Sequence, residues 1–248
     1  MSESSPLQLP VLNVAIVGSG GIATALVSHL LKDYPVGTLL LLQRGEQELD
    51  DSRVQRIFLD AEDPASIVSA GNAAAGLVNE LHLVINTVGM LHDRQFKPEK
   101  RVKDVTPQAL HQLMQANAFL LPQLAAALSP LLRHPAPSVL ASLSARVGSI
   151  ADNELGGWYS YRAAKAAHNQ LLRTLSREWR ISHKQCCVVA LHPGTVATGL
   201  SAPYTPTNYA KRVLSPQECA ESLIGVLKQM KASDTGTFRS WDGAIVPW

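Results

Sequence analysis

Tyr161 and Lys165 stand four residues apart in the run Tyr-Ser-Tyr-Arg-Ala-Ala-Lys over residues 159–165. On a helix, side chains at i and i+4 share a face, so the ammonium can sit beside the phenol. A free tyrosine, with a pKa of about 10, is a poor proton donor or acceptor at neutral pH. A neighbouring cation favours the phenolate and lowers that value. Bringing it down by about three units takes roughly 4 kcal/mol of differential stabilisation. A tyrosine tuned in this way is a plausible general acid/base. The chain holds five tyrosines, so the spacing also arises by chance and the surrounding sequence must decide.

A second group of residues points to a nucleotide. The run Val-Ala-Ile-Val-Gly-Ser-Gly-Gly-Ile-Ala over residues 14–23 follows an apolar strand pattern and opens a helical one. Gly18-x-Gly20-x-x-Ala23 fits the G-x-G-x-x-G/A fingerprint, in the strand–turn–helix context that the motif requires. Glycines permit the tight turn and a close approach of backbone to pyrophosphate, and the helix amino terminus supplies oriented N–H groups. Gly18, Ser19, Gly20, Gly21 and Ile22 are therefore candidate cofactor contacts; a tight turn without a ligand is the plain alternative. The second strand ends at Gln43-Arg44-Gly45, with no carboxylate to hold a ribose 2′-hydroxyl. Arg44 would attract a 2′-phosphate, which favours NADP(H) and leaves NAD(H) open. Asp60, closing the third strand, could accept a hydrogen bond from adenine or cap the helix that follows. The fourth strand ends in Asn86-Thr-Val-Gly89, a small-residue turn at the same edge.

The elements that must position these residues alternate. Apolar runs of strand character occupy 11–17, 38–43, 54–59, 81–87, 138–143, 186–191 and, more weakly, 237–241; helical patterns occupy 21–33, 63–77, 106–133, 158–182 and 215–230. Alternating β and α segments with fully apolar strands predict a parallel sheet covered on both faces. The connection over 44–53 is too short for a crossover helix, so a turn or loop fills it. Residues 195–215 lack periodicity and are expected to be a long loop, a substrate lid or an ordinary surface segment. Residues 1–10 are expected to be flexible.

Composition restricts the function classes. The 248 residues are 46% hydrophobic and 17% charged with a net charge of +2, which predicts neither a nucleic-acid nor a membrane partner. The apolar stretches are too short or interrupted to span a bilayer. The three cysteines have no disulfide or zinc spacing, and the adjacent pair Cys186-Cys187 should point to opposite faces of a strand. No metal ligand set is visible, and a reducing cytoplasm is the expected compartment.

Taken in order, the glycine turn at 18–23, Asn86-Thr-Val-Gly89, Asn117 within Gln-Ala-Asn-Ala-Phe, Ser-Leu-Ser-Ala-Arg-Val-Gly at 142–148, Tyr161-x-x-x-Lys165 and His192-Pro-Gly-Thr195 resemble the short-chain dehydrogenase/reductase family. The resemblance covers nearly the whole chain. Residues 144–150 and the carboxyl end are similar to the C-factor/sniffer-type carbonyl reductases. It implies an α/β single-domain Rossmann fold, a seven-stranded parallel sheet with helices on both faces, over residues 1–248. It also implies hydride exchange with NADP(H) on a small-molecule carbonyl or alcohol. By that resemblance Tyr161 transfers the proton, Lys165 tunes it and holds the nicotinamide ribose, and Asn117 links Lys165 to solvent. Pro193, Gly194, Thr195, Val196 and Thr198 would hold the carboxamide and phosphates.

Three departures from the family pattern stand out. The glycine turn is one residue shorter than usual, and Val88 replaces a small residue. The family's catalytic serine falls on Ala145, leaving Ser144, Ser149 or neither to serve; Ser144 is the candidate adopted. A donor of that kind is worth about 10² to 10³ in rate. These departures keep open a regulatory nucleotide-binding protein with weak or no catalysis. Leu155, Trp158, Tyr159, Tyr204 and Tyr209 are candidate pocket residues. The small residues Ala163, Ala164, Ala166 and Ala167 would let another backbone approach closely, and together with the fourth helix they suggest the homodimer or homotetramer that the resemblance implies.

Overall fold

A computed structural model of the protein describes residues 4–45, 50–205 and 212–248. The strands are β1 (Leu12–Val17), β2 (Val36–Gln43), β3 (Val54–Phe58), β4 (Leu83–Asn86), β5 (Ser138–Leu143), β6 (Cys186–His192), β7 (Thr195–Val196), β8 (Val213–Leu214) and β9 (Thr237–Ser240). The helices are α1 (Gly21–Asp33), α2 (Pro64–Leu77), α3 (Pro107–Met114), α4 (Leu120–Leu132), α5 (Tyr159–Ser182) and α6 (Pro216–Leu227). Among the described residues seven strands form one parallel sheet in the order β3-β2-β1-β4-β5-β6-β9. This is the parallel sheet expected from the alternation, in the Rossmann-type arrangement that the resemblance implies.

The strands are apolar throughout because both faces are covered. Leu12, Val14 and Ile16 pack into one core with α1 and α6, while Ala15 and Val17 join α2 and α4 on the other side. Cys186 and Cys187 divide between these two cores, as strand alternation requires, and both are free thiols. The strand order reverses between β1 and β4, and in such sheets ligands occupy the crevice outside the carboxyl ends at that point.

Several expectations need revision. The helix expected over 106–133 is divided: α3 gives way to a π-helical turn over residues 115–119 before α4 begins. π-Turns of this kind frequently mark functional sites. Residues 195–215 are partly regular, since β7 and β8 pair in parallel and residues 202–204 form a 3₁₀ turn. The amino-terminal segment from residue 5 is anchored rather than flexible: Ser5 donates to the Leu227 carbonyl at 3.1 Å, and Pro6 and Leu7 are buried. No helix among the described residues is long and apolar enough to cross a membrane, and no group of residues there could hold a metal ion.

Candidate functional site

The turn after β1 runs beside the turn after β4. Gly18 has φ +113°, a conformation that favours glycine, and a Cβ there would lie 2.5 Å from Thr87 Oγ1. The Thr87 hydroxyl donates back to the Val17 carbonyl at 2.7 Å, which locks the two turns together. Ser19, Gly20 and Gly21 are exposed at the start of α1, and no side chain caps that helix. A Cβ on Gly20 would meet nothing within 4 Å. The start of α1 is thus uncapped and open at Gly20, with the positive end of the helix behind it. Ile22 turns the other way and packs on the core. Thr198 reaches this point from the far side of the chain: a Cβ on Gly21 would lie 3.4 Å from its methyl group.

Arg44 and Asp60 meet at 3.8 Å at the ends of β2 and β3, with Arg44 largely exposed. The α2 cap is Asp63, whose carboxylate accepts from Ala65 N, so Asp60 is released from that duty. Gln43, which the sequence reading passed over as a site residue, is buried beside them, and neither atom of its side-chain amide has a partner. A buried amide without partners is costly unless a ligand satisfies it.

Tyr161 and Lys165 lie on the buried face of α5, with Lys165 Nζ 5.9 Å from the Tyr161 ring centroid. Nζ donates to the Leu143 carbonyl at 3.0 Å, which draws it to the end of β5. A Cβ on Gly89 would lie 3.2 Å from Asn117 Oδ1 and 3.4 Å from Lys165 Nζ, so three predicted residues converge there. The Asn117 amide is fixed by Met90 and Leu113: Oδ1 accepts from Met90 N at 3.1 Å, and Nδ2 donates to the Met90 and Leu113 carbonyls at 2.8 and 2.9 Å. The π-turn carries Asn117, and His168 Nδ1 bonds the Asn117 carbonyl at 2.9 Å. Burial, and then the charge of Lys165, push His168 down to about 3, so the ring is neutral and Nδ1 is the donor.

The expected lowering of the Tyr161 pKa is reversed in this state. Burial raises it, and burial pushes Lys165 down to about 8. Desolvation wins because both groups lie inside the protein and Nζ is turned to a carbonyl rather than to the phenol oxygen.

Hydroxyls near the end of β5 are already engaged. Ser142 accepts from Asn86 Nδ2 at 3.0 Å, Ser144 donates to Asn169 Oδ1 at 2.6 Å, and Ser149 accepts from Asp152 N at 3.2 Å. Ala145, not Ser144, packs in the cluster that surrounds Tyr161. Successive residues of an extended chain point in opposite directions, so Ser144 faces α5 while Ala145 faces the pocket. Ser144, the candidate adopted from the sequence, thus spends its hydroxyl on Asn169 in this structure.

Leu91, Leu113 and Ala164 complete the buried part of that cluster, with Trp158 and Tyr204 against it. Trp158 meets Tyr161 and Tyr204 edge-on at 6.2 and 5.3 Å between centroids. Leu155 and Tyr159 point outward and are exposed, contrary to the pocket reading, and Tyr209 lies outside the described residues. Gly194, with φ +80°, lets the chain pass Trp241, and Pro193 accepts a long contact from the Cys219 thiol. Thr195 and Val196 then form β7 on the side of Thr198. Sequence reasoning also missed Glu99, whose partner lies 61 positions away, and Arg162, which bonds the glycines just before its own helix and Val147.

Comparisons with known proteins bear on the family and the fold. The family model described as short chain dehydrogenase matches residues 13–208. The 1-hydroxy-2-glutathionyl-2-methyl-3-butene dehydrogenase of Rhodococcus sp. is 35% identical over 106 residues, which cover 43% of this chain and 45% of that enzyme. The C-signal protein of Myxococcus xanthus is 30% identical over 145 residues, 58% of this chain and 82% of that one. The chain thus aligns with under half of the Rhodococcus enzyme's length but with most of C-signal. Among solved structures, an NADPH-bound carbonyl reductase from chicken fatty liver superposes with a TM-score of 0.84 at 25% identity, covering 97% of this chain and all of that one. Carbonyl reductase Sniffer of D. melanogaster gives 0.83 at 21% identity over 96% of this chain and all of its own, a likeness of fold. With the family model matched over residues 13–208 and the sheet order in accord, the chain belongs to the short-chain dehydrogenase family.

Proposed function

We propose that this protein is an NADP(H)-dependent oxidoreductase that interconverts a carbonyl and an alcohol, with Tyr161 as general acid/base. The carrying observation is the convergence of Tyr161, Lys165, Asn117 and Gly89 at the carboxyl edge of the sheet, beside the uncapped start of α1. The residues present fit a dinucleotide. The open N–H groups at residues 19–21 suit a pyrophosphate, and the partnerless Gln43 amide with Arg44 suits the adenosine ribose and its 2′-phosphate. Asp60 would line the adenosine side, Asn86 and Gly89 the middle of the crevice toward Lys165, and Pro193, Gly194, Thr195, Val196 and Thr198 the nicotinamide side. The chicken-liver carbonyl reductase with bound NADPH supports the choice of phosphate-bearing cofactor.

When bound, the reduced nicotinamide supplies the hydride. Tyr161 is held protonated by burial and donates its proton to the carbonyl oxygen. In oxidation it takes the proton from the alcohol. Lys165, charged below about pH 8, stabilises the phenolate that remains and is itself steadied by the Leu143 carbonyl. The Asn117 amide fixes the backbone of Met90 and keeps the floor of the pocket in place.

Titration with NADPH and NADH, followed by turnover on a panel of aldehydes, ketones and quinones, tests the reading. Tight NADPH binding with turnover supports it; failure to bind either dinucleotide overturns it. Ala145, an alanine packed against the Tyr161 cluster at the position where the family pattern has a serine, favours one other reading, a regulatory NADP(H)-binding protein with little catalysis. Tight binding with no turnover across the panel selects that second reading. A homodimer or homotetramer is part of the proposal, and a monomeric sedimentation profile removes that part.

A further inference from the structure

Helix α5 begins in an unusual way. Gly156, Gly157 and Trp158 are consecutive left-handed residues at φ 62°, 66° and 53°, and Trp158 is the one non-glycine with positive φ among the described residues. As the N-cap, Trp158 provides no side-chain bond, and the first turn holds no acidic residue. The missing cap comes from far away in sequence. Glu99, itself buried, accepts from Ser160 N at 3.2 Å through one carboxylate oxygen and from the Ser160 hydroxyl through the other. The Glu99 backbone carbonyl accepts from Trp158 N. On the other side, the Arg162 guanidinium donates to the carbonyls of Gly157, Gly156 and Val147 at 2.9, 3.1 and 3.3 Å. Glu99 and Arg162 thus both hold the left-handed segment and the first turn of α5 that leads to Tyr161.

We propose that Glu99 and Arg162 are positioning residues that clamp the entry of α5, holding Trp158 against Tyr161 and fixing the Tyr161 hydroxyl relative to Lys165. A left-handed tryptophan persists only where its surroundings over-determine it. Here both the amide and the three carbonyls around it are spoken for. Without the clamp, residues 156–158 relax, the first turn of α5 frays, and the phenol loses a fixed position. The catalytic arm of this proposal rests on the oxidoreductase reading above; the conformational arm does not.

The test uses the full-length Glu99→Gln, Glu99→Ala and Arg162→Lys variants. Hydrogen–deuterium exchange on the protein without cofactor should quicken in residues 156–163 and stay unchanged elsewhere. On a carbonyl that the parent protein reduces, kcat should fall at least tenfold in Glu99→Ala while KM for NADPH stays within twofold. Glu99→Gln, which keeps an acceptor, should recover part of the loss. Unchanged local exchange overturns the clamp, and quickened exchange with kcat within twofold overturns its positioning role. A parallel loss of NADPH binding and global stability, with no kcat-against-KM split, reduces the pair to structural ties and also overturns that role. If the parent protein reduces no carbonyl, the oxidoreductase reading fails, and the exchange arm alone decides whether the clamp exists.

Discussion

Ser144 donates its hydroxyl to Asn169 Oδ1 at 2.6 Å, and Asn169 belongs to the same helix as Tyr161. The bond ties the end of β5 to the middle of α5, while Ala145 packs against the cluster that contains Tyr161. Ser144→Ala should therefore cost stability, about 1–3 kcal/mol for a buried partner left unsatisfied, with kcat within threefold of the parent. Ala145→Ser should do the reverse: place a donor at the pocket and raise kcat at least tenfold, given that one such donor is worth about 10² to 10³. Steady-state kinetics and thermal unfolding of both variants separate the two positions. A large drop in kcat for Ser144→Ala would restore it to the chemistry.

Tyr161→Phe removes the proposed proton donor and little volume. Turnover should fall by about 10² to 10⁴, while NADPH affinity, read by fluorescence, stays within a few-fold. Full activity in this variant sinks the assignment of Tyr161.

Lys165 supplies a pH signature. Its folded pKa is depressed by burial to about 8 from an ordinary value of 10.5. Between those values the unfolded chain binds more protons than the folded one, so this group makes stability rise with pH across roughly 8 to 10.5. Below pH 8 the buried charge is a constant burden on the order of 3 kcal/mol, before the bond to Leu143 offsets part of it. Lys165→Met should therefore be at least as stable as the parent at pH 7, with the difference shifting toward the parent above pH 8. Taking the difference cancels Tyr161, whose raised pKa acts in the opposite direction above about pH 10. Carbonyl reduction by the parent should decline above pH 8 as the ammonium is lost. Urea unfolding across pH and a kcat profile check both limbs.

Arg44 is largely exposed and 3.8 Å from Asp60, so little of the fold depends on it. Arg44→Ala should leave the melting temperature unchanged and weaken NADPH about tenfold or more, as expected for a charged hydrogen bond. NADH binding should barely change. Equal losses for both dinucleotides would contradict the 2′-phosphate role.

Gly148 presses on the helix that carries the pair. A Cβ there would lie 2.7 Å from Lys165 Cβ and 2.8 Å from its carbonyl carbon, so Gly148→Ala must push α5 away from β5. A loss of about 1–3 kcal/mol together with reduced kcat is expected. Gly76, in α2 with nothing within 4 Å of its virtual Cβ, is the contrast. Gly76→Ala should stabilise by about 0.4–1 kcal/mol and leave turnover alone.

Periodicity, the glycine turn and the four-residue spacing of Tyr161 and Lys165 made the parallel sheet and the position of the site legible, because strand alternation, helical pitch and the φ demands of a turn are local. The sequence also carried Asn117 but not the π-turn around it, since whether i→i+4 or i→i+5 bonds form depends on what α3 and α5 pack against. Only the tertiary structure decided which way Ser144 faces, because one residue of register at the end of β5 exchanges the pocket for the helix. It alone decided the sign of the Tyr161 shift, since burial is a property of the folded surroundings and outweighs the nearby ammonium. Glu99 shows the limit most plainly: 61 positions separate it from Ser160, and no local rule joins a carboxylate to a helix end that the fold alone brings near.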